Sequence, residues 1–463
     1  MTLPLPPLAT ARYPGEFLLG VARRRPEMLQ RIARDCGDVA GFRIGPQLVV
    51  LLSHPDDVRD VLVTQGRKFK KGRGLERARA LLGEGLLTSE DPLHRRQRRL
   101  VQPAFHRQRV AAYGDVMSAC AARAAGRWRP GQAIDAAAEM MRLTLAVVGR
   151  TLFDADVEGE ASEVGDALAD VFAAFGLAVV MPFGELLERF PLPAARRFRR
   201  ARDRLDAIIY RIIRERRASA DDRGDLLSML LAAQDVDGDT DAEAEAEAKP
   251  DGAGMSDRQL RDEALTLFIA GHETTAVALA WTWYLLAQHP DAEARLHAEL
   301  DAALPPGAPD AGFGDLPRLP YARMVLAESM RLYPPAWIIG RRALEDVEVG
   351  GRLIPRGAIV LMSQLLVHHD PRWFPDPERF DPDRWTAEAA AARPKFSYFP
   401  FGGGTRVCIG EQFAWMEGTL VLATIARRWR LRLDPPDQRV EIQPLVTLRP
   451  KGGIRMRAVR RES

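Results

Sequence analysis

The sequence has few cysteines, little net charge and no long apolar run near its start. Its 463 residues include three cysteines, Cys36, Cys120 and Cys408, too few and too scattered for a disulfide framework or a cysteine-rich metal site. Lys and Arg total 66 against 63 Asp and Glu, a net charge of +3, which argues against a nucleic-acid-binding protein. These features favour a protein of a reducing compartment with no nucleic-acid partner.

The apolar segments near the N-terminus are short. Residues 1–13 are rich in proline, and the apolar stretch at 17–22 is far shorter than the roughly 20 residues that a membrane span needs. The sequence therefore predicts no signal peptide and no membrane anchor. We expect a soluble, cytoplasmic protein.

The pattern of apolar residues predicts a mainly α fold with a smaller β part, an α+β class. Residues 42–52 are typical of two strands about a turn, and residues 93–289 are mostly helical by period. Strand-like pieces return between residues 347 and 360 and near the C-terminus. Because 46% of the residues are hydrophobic, a large core can form, and the length predicts two domains or one large fold around a cofactor.

An acidic segment at residues 235–251 interrupts the helical pattern. Its first aspartates resemble a calcium loop, but the glycine stands fourth instead of sixth, and Ala246 occupies the twelfth position, where a calcium loop carries glutamate. We interpret the segment as a solvated, flexible acidic loop.

Residues 401–410 form a glycine-rich loop, Phe-Gly-Gly-Gly-Thr-Arg-Val-Cys-Ile-Gly. Three neighbouring glycines allow turns that are closed to other residues. Cys408 precedes a predicted helix, whose N-terminal N–H groups favour a thiolate over a thiol. A thiolate held by a rigid loop, with Phe401 to shield it and Arg406 to bind a nearby anion, is suited to be an axial ligand of iron.

A long helix is predicted upstream of this loop. It begins at Ser256 with a capping-box pattern and ends before His289-Pro290. At ~1.5 Å per residue it spans roughly 50 Å. Its middle reads Ala-Gly-His-Glu-Thr-Thr at residues 270–275. Because a glycine, a carboxylate and two hydroxyls are unfavourable inside a core helix, they indicate a functional site. The alternative, compatible with the first, is that the threonine hydroxyls only bond back to the preceding turn and bend the helix.

These two segments resemble the cysteine loop and the oxygen-activating helix of the cytochrome P-450 family, the haem-thiolate monooxygenases, and the chain resembles the soluble bacterial type. The resemblance extends over essentially the whole chain and implies one cytochrome P-450 domain of residues 1–463. Its β-rich parts are expected at about 38–66, 340–365 and near the C-terminus, and its helical body at about 93–335 and 410–430. The haem b cofactor is expected between the long central helix and the helix after the cysteine loop.

The resemblance assigns roles to individual residues. Cys408 is the axial ligand of the haem iron, which is the ligation that defines this family. Thr274 hydrogen-bonds the oxygen that is being activated, and Glu273 relays protons towards it. Further implied haem contacts are Ala270, Phe401, Gly402 and Gly410, with the propionate partners His94, Arg98, Arg341 and Arg406. The implied structural triad, needed for folding and haem retention, is Glu328, Arg331 and Arg379.

The implied activity is insertion of one oxygen atom from O2 into a hydrophobic small molecule. Because no reductase domain is recognised in the sequence, electrons from NAD(P)H are expected through separate proteins, a ferredoxin and a ferredoxin reductase, acting on a monomer. The candidate pocket residues are Leu86, Leu87, Phe175, Phe268, Ala336, Trp337, Ile338 and Val446. Their apolar character suits a terpenoid, a fatty acid or a steroid, and a weak similarity to terpenoid-oxidising members favours the first.

Two other functions remain open from the sequence. One is a haem-thiolate peroxygenase or isomerase, which the Glu273-Thr274 pair disfavours. The other is a non-catalytic haem-binding sensor, which would need no oxygen-activating helix.

Overall fold

Helices make up most of the computed structural model, which describes residues 3–22, 26–154, 193–219, 223, 225–232, 255–305 and 307–461. Phe175 and the acidic segment 235–251 lie outside the described residues. The described α-helices are α1 (Glu16–Ala22), α2 (Pro26–Cys36), α3 (Pro55–Arg59), α4 (Arg73–Leu82), α5 (Leu93–Val101), α6 (Arg107–Gly126), α7 (Ala136–Leu152), α8 (Pro193–Ser219), α9 (Leu226–Ala232), α10 (Asp257–Gln288), α11 (Pro290–Ala303), α12 (Pro320–Leu332), α13 (Gln364–Val367), α14 (Ala387–Ala391) and α15 (Glu411–Ala426).

The strands are short and form four small sheets in the described part of the chain. They are β1 (Val39–Ile44), β2 (Gln47–Leu52), β3 (Phe69–Lys71), β4 (Ala133–Asp135), β5 (Ile339–Ala343), β6 (Val347–Val349), β7 (Arg352–Ile354), β8 (Ile359–Met362), β9 (Trp429–Leu433), β10 (Ile442–Pro444), β11 (Leu448–Pro450) and β12 (Arg455–Arg460). The largest sheet has the order β1-β2-β8-β5-β3, and the others are β4-β12-β9, β6-β7 and β10-β11. The predicted class, mainly α with a smaller β part, is confirmed.

The five-stranded sheet joins segments that are far apart in the sequence. Strands β2 and β8 are parallel, whereas the other pairs in this sheet are antiparallel. In the β3–β5 pair Lys71 lies opposite Arg341. This register brings two basic residues, 270 positions apart in the sequence, to the same edge of the sheet.

Helix α10 begins with the predicted capping box. The Ser256 hydroxyl accepts a bond from the Gln259 N–H (3.3 Å), and the Gln259 side chain accepts one from the Ser256 N–H (3.0 Å). These bonds satisfy N–H groups that have no partner within the helix. From Leu260 to Leu286 every residue of α10 is buried except three in the middle, Ala270, Gly271 and Thr274.

The length and apolar character of α10 would also suit a membrane span. In the part of the chain that the structure describes it is the one helix that passes this test, but 83% of its apolar window is buried inside the protein. Helix α10 is therefore a core helix. Its largest fully buried side chains are Trp281 and Trp283.

An ion pair on α12 fixes the loops that follow it. Glu328 and Arg331 are fully buried and form two parallel bonds of 2.8 Å. Arg331 also donates to the carbonyls of His368 (2.9 Å) and Pro377 (2.7 Å). Because a buried ion pair is tolerated when its remaining donors are bonded, this pair holds the irregular chain around residues 368–379 on α12.

The prediction that Arg379 is the third member of the triad is wrong. Its side chain is exposed, and its backbone carbonyl accepts a bond from Arg331 (3.1 Å). The cation that lies beside Glu328 is Arg384, with Nε 3.4 Å from Oε1. Trp385 donates to the other carboxylate oxygen of Glu328 (2.9 Å). The triad in this structure is therefore Glu328, Arg331 and Arg384.

This correction predicts different stabilities for two arginine variants. We expect Arg384→Ala to lower the free energy of unfolding measurably, because it uncovers a buried carboxylate, and Arg379→Ala to change it by less than about 0.5 kcal/mol. As the upper reference, Glu328→Ala leaves Arg331 unpaired and is expected to cost about 3–5 kcal/mol. Urea unfolding followed by circular dichroism measures all three, and equal losses for the two arginine variants would contradict the assignment.

Candidate active site

An opening adjoins the middle of α10. Ala270 and Thr274 are four residues apart and so share one helix face, and they are open in a helix that is otherwise buried. The Thr274 hydroxyl donates to the Ala270 carbonyl (2.8 Å). That bond satisfies the hydroxyl without closing the space beside it. A space next to exposed helix-interior residues is the first requirement of a site for a large flat group.

The glycines of the cysteine loop permit close approach to other parts of the protein. Gly402 and Gly404 have φ values of 72° and 69°, a conformation that favours glycine. A side chain on Gly404 would overlap the carbonyl oxygen of Leu62, and one on Gly403 would lie 2.5 Å from the Phe396 ring. The loop is therefore packed against the π-helical turn Asp60–Thr64.

Cys408 lies three residues before α15. Its N–H donates to the Phe401 carbonyl (3.0 Å), and its side chain is accessible although protein atoms surround it on most sides. Burial raises the pKa of the Cys408 thiol, although a bond from the Gly410 N–H and the charge of Arg98 oppose this rise. The expected preference for a thiolate at a helix start is thus outweighed in the free thiol. A coordinated metal ion deprotonates such a ligand outright.

Basic side chains collect on one side of the cysteine loop. Arg98 donates to the Val407 carbonyl (2.8 Å), and Arg406 is 2.5 Å from a Glu90 oxygen. Arg341 is buried, and burial together with the charge of Arg406 lowers its pKa to about 10, so it stays charged at neutral pH. The predicted propionate partners Arg98, Arg341 and Arg406 therefore belong to one cluster.

Two members of this cluster differ from the sequence prediction. Burial, with the charges of Lys71 and Arg406, lowers the pKa of His94 to about 4, so His94 offers a neutral imidazole instead of a cation. Lys71 was not predicted, yet it is buried beside the same groups. Burial and the charge of Arg406 lower its pKa to about 7. Its place follows from the β3–β5 register and has no local sequence signal.

The cluster fits the two carboxylates of haem. It holds three guanidinium groups and a lysine, which outnumber the two carboxylates beside them, Glu90 and Asp91. Buried positive charge of this excess is costly unless anions neutralise it. Two propionates would supply two negative charges at this place. Together with the opening beside Ala270 and Thr274 and the Cys408 thiol, the residues present fit a haem.

Glu273 is held by the C-terminal hairpin β10–β11. Its Oε1 accepts bonds from the Thr447 hydroxyl (2.5 Å) and from Arg449 Nε (2.6 Å). The Glu273 side chain is 3% exposed, whereas that of Arg449 is 21% exposed. The pair therefore joins a buried carboxylate next to Thr274 to a partly exposed guanidinium. Sequence analysis found Glu273 but not its two partners, which lie more than 170 residues away.

A second buried carboxyl lies near this helix and was not predicted. Glu417 of α15 is fully buried and is close to Thr275. Burial raises the pKa of Glu417 to about 8, against the effect of the Thr275 hydroxyl. Glu417 is therefore protonated and uncharged at neutral pH.

The predicted pocket residues fall into three groups. Leu86 is buried and Leu87 is 38% exposed in the loop before α5. Trp337 donates to the Leu445 carbonyl (3.2 Å), which brings the segment with Ala336 and Ile338 beside the hairpin that carries Val446. Phe268 packs against Phe153 with ring centres 5.9 Å apart.

An apolar cavity adjoins Phe268. It lies between α8 and α10, and its lining includes Phe153 and four isoleucines of α8, Ile208, Ile209, Ile212 and Ile213. Phe175 lies outside the described residues, so its predicted position in the pocket stays a prediction.

Comparison with known proteins decides the family. The cytochrome P450 family matches residues 11–456 of this chain. The chain belongs to the cytochrome P450 family. Cyclooctatin synthase of Streptomyces melanosporofaciens is 43% identical, and the alignment covers 97% of this chain and 92% of that protein.

Other relatives agree. Cyclooctat-9-en-7-ol 5-monooxygenase of the same organism is 40% identical over 93% of this chain and 91% of its own length. Pentalenene oxygenase of Streptomyces avermitilis is 36% identical, and the alignment covers 95% of this chain and 94% of that protein. A crystal structure of the cytochrome P450DA haem domain matches with a TM-score of 0.87 at 28% identity, covering 100% of this chain and 99% of that one.

The predicted cytochrome P450 fold, haem cofactor and monooxygenase activity are therefore confirmed. The roles of individual site residues stay predictions that the geometry supports. In this P450 the described positions of Cys408, Arg98, Arg341 and Arg406 suit the haem-binding roles that the resemblance implied.

Cys408 and Gly404 give a paired test of the haem site. We expect Cys408→Ala to abolish the thiolate-type band of the reduced carbon monoxide complex, because it removes the sulfur ligand. Gly404→Ala is expected to lower the haem content severalfold, because its side chain collides with Leu62 at a positive φ. Gly357→Ala is the control, because it has the same kind of backbone strain with open space around it. Unchanged haem content in Gly357→Ala would show that the loss in Gly404→Ala comes from the collision with Leu62 and not from backbone strain. A thiolate-type band that survives in Cys408→Ala would contradict the assignment.

Proposed function

We propose that this P450 inserts one oxygen atom from O2 into a terpenoid. The observation that carries the proposal is the named activity of relatives that align over nearly the whole chain, a cyclooctat-9-en-7-ol 5-monooxygenase and a pentalenene oxygenase, whose named substrates are terpenoids. The apolar character of the pocket candidates supports the same class. Fatty acids and steroids remain the competing substrate classes for such a lining.

Haem, once bound, supplies the chemistry that activates O2 and oxidises the substrate. The protein would hold it through Cys408 and through the cluster of Arg98, Arg341, Arg406 and Lys71. The apolar side chains around Phe268 and Trp337 would bind and orient the substrate and exclude water from it. These tasks need no charged group in the pocket.

Proton delivery is the task of α10. The Thr274 hydroxyl donates a hydrogen bond to the Ala270 carbonyl, at the opening beside the helix. Glu273 is the adjacent carboxylate, and its partner Arg449 is partly exposed. To pass a proton inward, the Glu273 carboxylate must leave Arg449 and Thr447 and turn towards Thr274. The salt bridge thus keeps the relay closed until such a rotation occurs.

Electrons would come from NAD(P)H through a separate ferredoxin and ferredoxin reductase. Helix α5 exposes Arg95 and Arg99, while Arg98 of the same helix bonds to the backbone next to Cys408. A basic surface over the cysteine side of the site suits an acidic electron donor.

Thr274→Ala is expected to uncouple electron transfer from product formation. NAD(P)H consumption should continue while product per NAD(P)H falls severalfold, because the hydroxyl that delivers protons is lost. Thr282→Ala is the matched control, since Thr282 makes the same bond to the carbonyl four residues before it (2.7 Å) but is fully buried. The measurement is product per NAD(P)H with a ferredoxin and its reductase. Intact coupling in Thr274→Ala would remove the proposed role.

The substrate class is tested by optical titration of the ferric protein. We expect cyclic terpenoids to shift the haem from low to high spin, because a fitting apolar ligand displaces water from the opening, and C10–C18 fatty acids and steroids to do so weakly. Product analysis with the donor proteins then separates the alternatives. A product formed with peroxide but not with NAD(P)H would favour a peroxygenase, and ligand binding without any product would favour a sensor.

A further inference from the structure

Both backbone polar groups of Leu86 are bonded to buried ionisable side chains. Its N–H donates to Glu263 Oε2 (2.9 Å), and its carbonyl accepts from Lys71 Nζ (2.9 Å). Glu263 is fully buried and Lys71 is 4% exposed. Burial raises the pKa of Glu263 to about 7 and lowers that of Lys71 to about 7. Burying two ionisable side chains beside one loop residue costs desolvation free energy. A loop at the surface has no such cost, because its backbone groups bond to water.

The rest of this segment is also fixed on α10. We call residues 83–90 the Leu86 loop. The Glu84 N–H donates to Asp262 Oδ2 (2.9 Å), so two consecutive carboxylates of α10 hold the loop. Gly83 has a φ of 63°, and a side chain there would overlap the Asp262 carboxylate. The glycine therefore permits the loop to approach the helix as closely as these bonds require.

The Leu86 loop connects two parts of the site. Seven residues separate Glu263 from Ala270, about two helical turns, so both lie on nearly the same face of α10 as Thr274. On its other side, Lys71 belongs to the basic cluster, and it also donates to the Ser89 carbonyl (2.5 Å). The position of Leu86 and Leu87 is thus set by hydrogen bonds to two buried ionisable groups and not by apolar packing alone.

We propose that Glu263 is a positioning residue for substrate specificity, which fixes the Leu86 loop as a wall of the substrate cavity, with Lys71 as its counterpart. This inference rests on the predicted place of Leu86 and Leu87 at the cavity, but not on the terpenoid assignment. Loss of the Glu263 acceptor leaves the Leu86 N–H buried without a partner, so the loop must move to hydrate it. The wall then shifts without any change in the residues that line it.

Two azoles of different size test this with the ferric holoenzyme. Imidazole and clotrimazole both bind the haem iron through a ring nitrogen, but clotrimazole also carries bulky aromatic rings that must fit beside the proposed wall. In Glu263→Leu we expect the Kd of clotrimazole to rise about tenfold, the loss of one buried hydrogen bond, while the Kd of imidazole changes less than about twofold. Glu263→Gln keeps an acceptor of the same length and is expected to stay close to the parent protein.

Hydrogen exchange supplies a readout that is independent of haem ligands. The amides of residues 83–90 should exchange faster in Glu263→Leu and not in Glu263→Gln. Glu299→Leu is the control for general destabilisation, because Glu299 also accepts two backbone bonds, from Tyr321 (2.6 Å) and Ala322 (2.9 Å), away from this loop. If Glu263→Leu does not fold, Glu263→Asp, which withdraws the carboxylate by one methylene, replaces it.

The outcomes are separable. Equal weakening of both azoles, or the same clotrimazole effect in Glu299→Leu, would show that Glu263 only stabilises the protein and would overturn the proposal. Because neither azole is a terpenoid, a failure of the terpenoid assignment leaves this result unaffected. Selective loss of clotrimazole binding together with faster exchange of residues 83–90 would establish the positioning role.

Discussion

The charge balance beside the cysteine loop is the constraint on which the rest of the site depends. Arg98, Arg341 and Arg406 are brought together with Lys71, and the carboxylates beside them, Glu90 and Asp91, are fewer. Such a cluster is unfavourable in the interior without more negative charge. The fold is therefore complementary to a group that carries two carboxylates. Because these cations come from a strand pair, a helix and the cysteine loop, binding of that group joins elements that are distant in the sequence.

The features that could be predicted from the sequence are local. The capping box at Ser256 and the glycine turns before Cys408 depend on neighbouring residues, so their pattern is visible in the chain. The triad shows that a local sequence pattern does not always identify the residue that makes the contact. Residues 377–380 read Pro-Glu-Arg-Phe and residues 382–385 read Pro-Asp-Arg-Trp, and either arginine satisfies the pattern. Tertiary packing selects Arg384, because it lies beside Glu328 while Arg379 points outward.

The partners that sequence analysis missed are set by long-range contacts. Lys71 reaches the cluster through the register of β3 with β5. Arg449 meets Glu273 across 176 residues, and Glu263 meets Leu86 across 177. A lysine, an arginine or a glutamate in these positions has the same local pattern as any surface residue. Their burial and their partners exist only in the folded chain, which is why the site's ligand residues could be predicted but their supports could not.

The carboxylates of α10 relate substrate binding to proton delivery. Near the start of α10, Asp262 and Glu263 hold the Leu86 loop. In the middle of α10, Glu273 holds the hairpin that carries Val446. Both segments are predicted to face the substrate, and both are fixed to the helix that presents Thr274. A substrate that pushes either segment would therefore act on α10 through these hydrogen bonds. In particular, displacement of the hairpin would weaken the hold of Arg449 and Thr447 on Glu273, which is the step that the proposed proton relay requires.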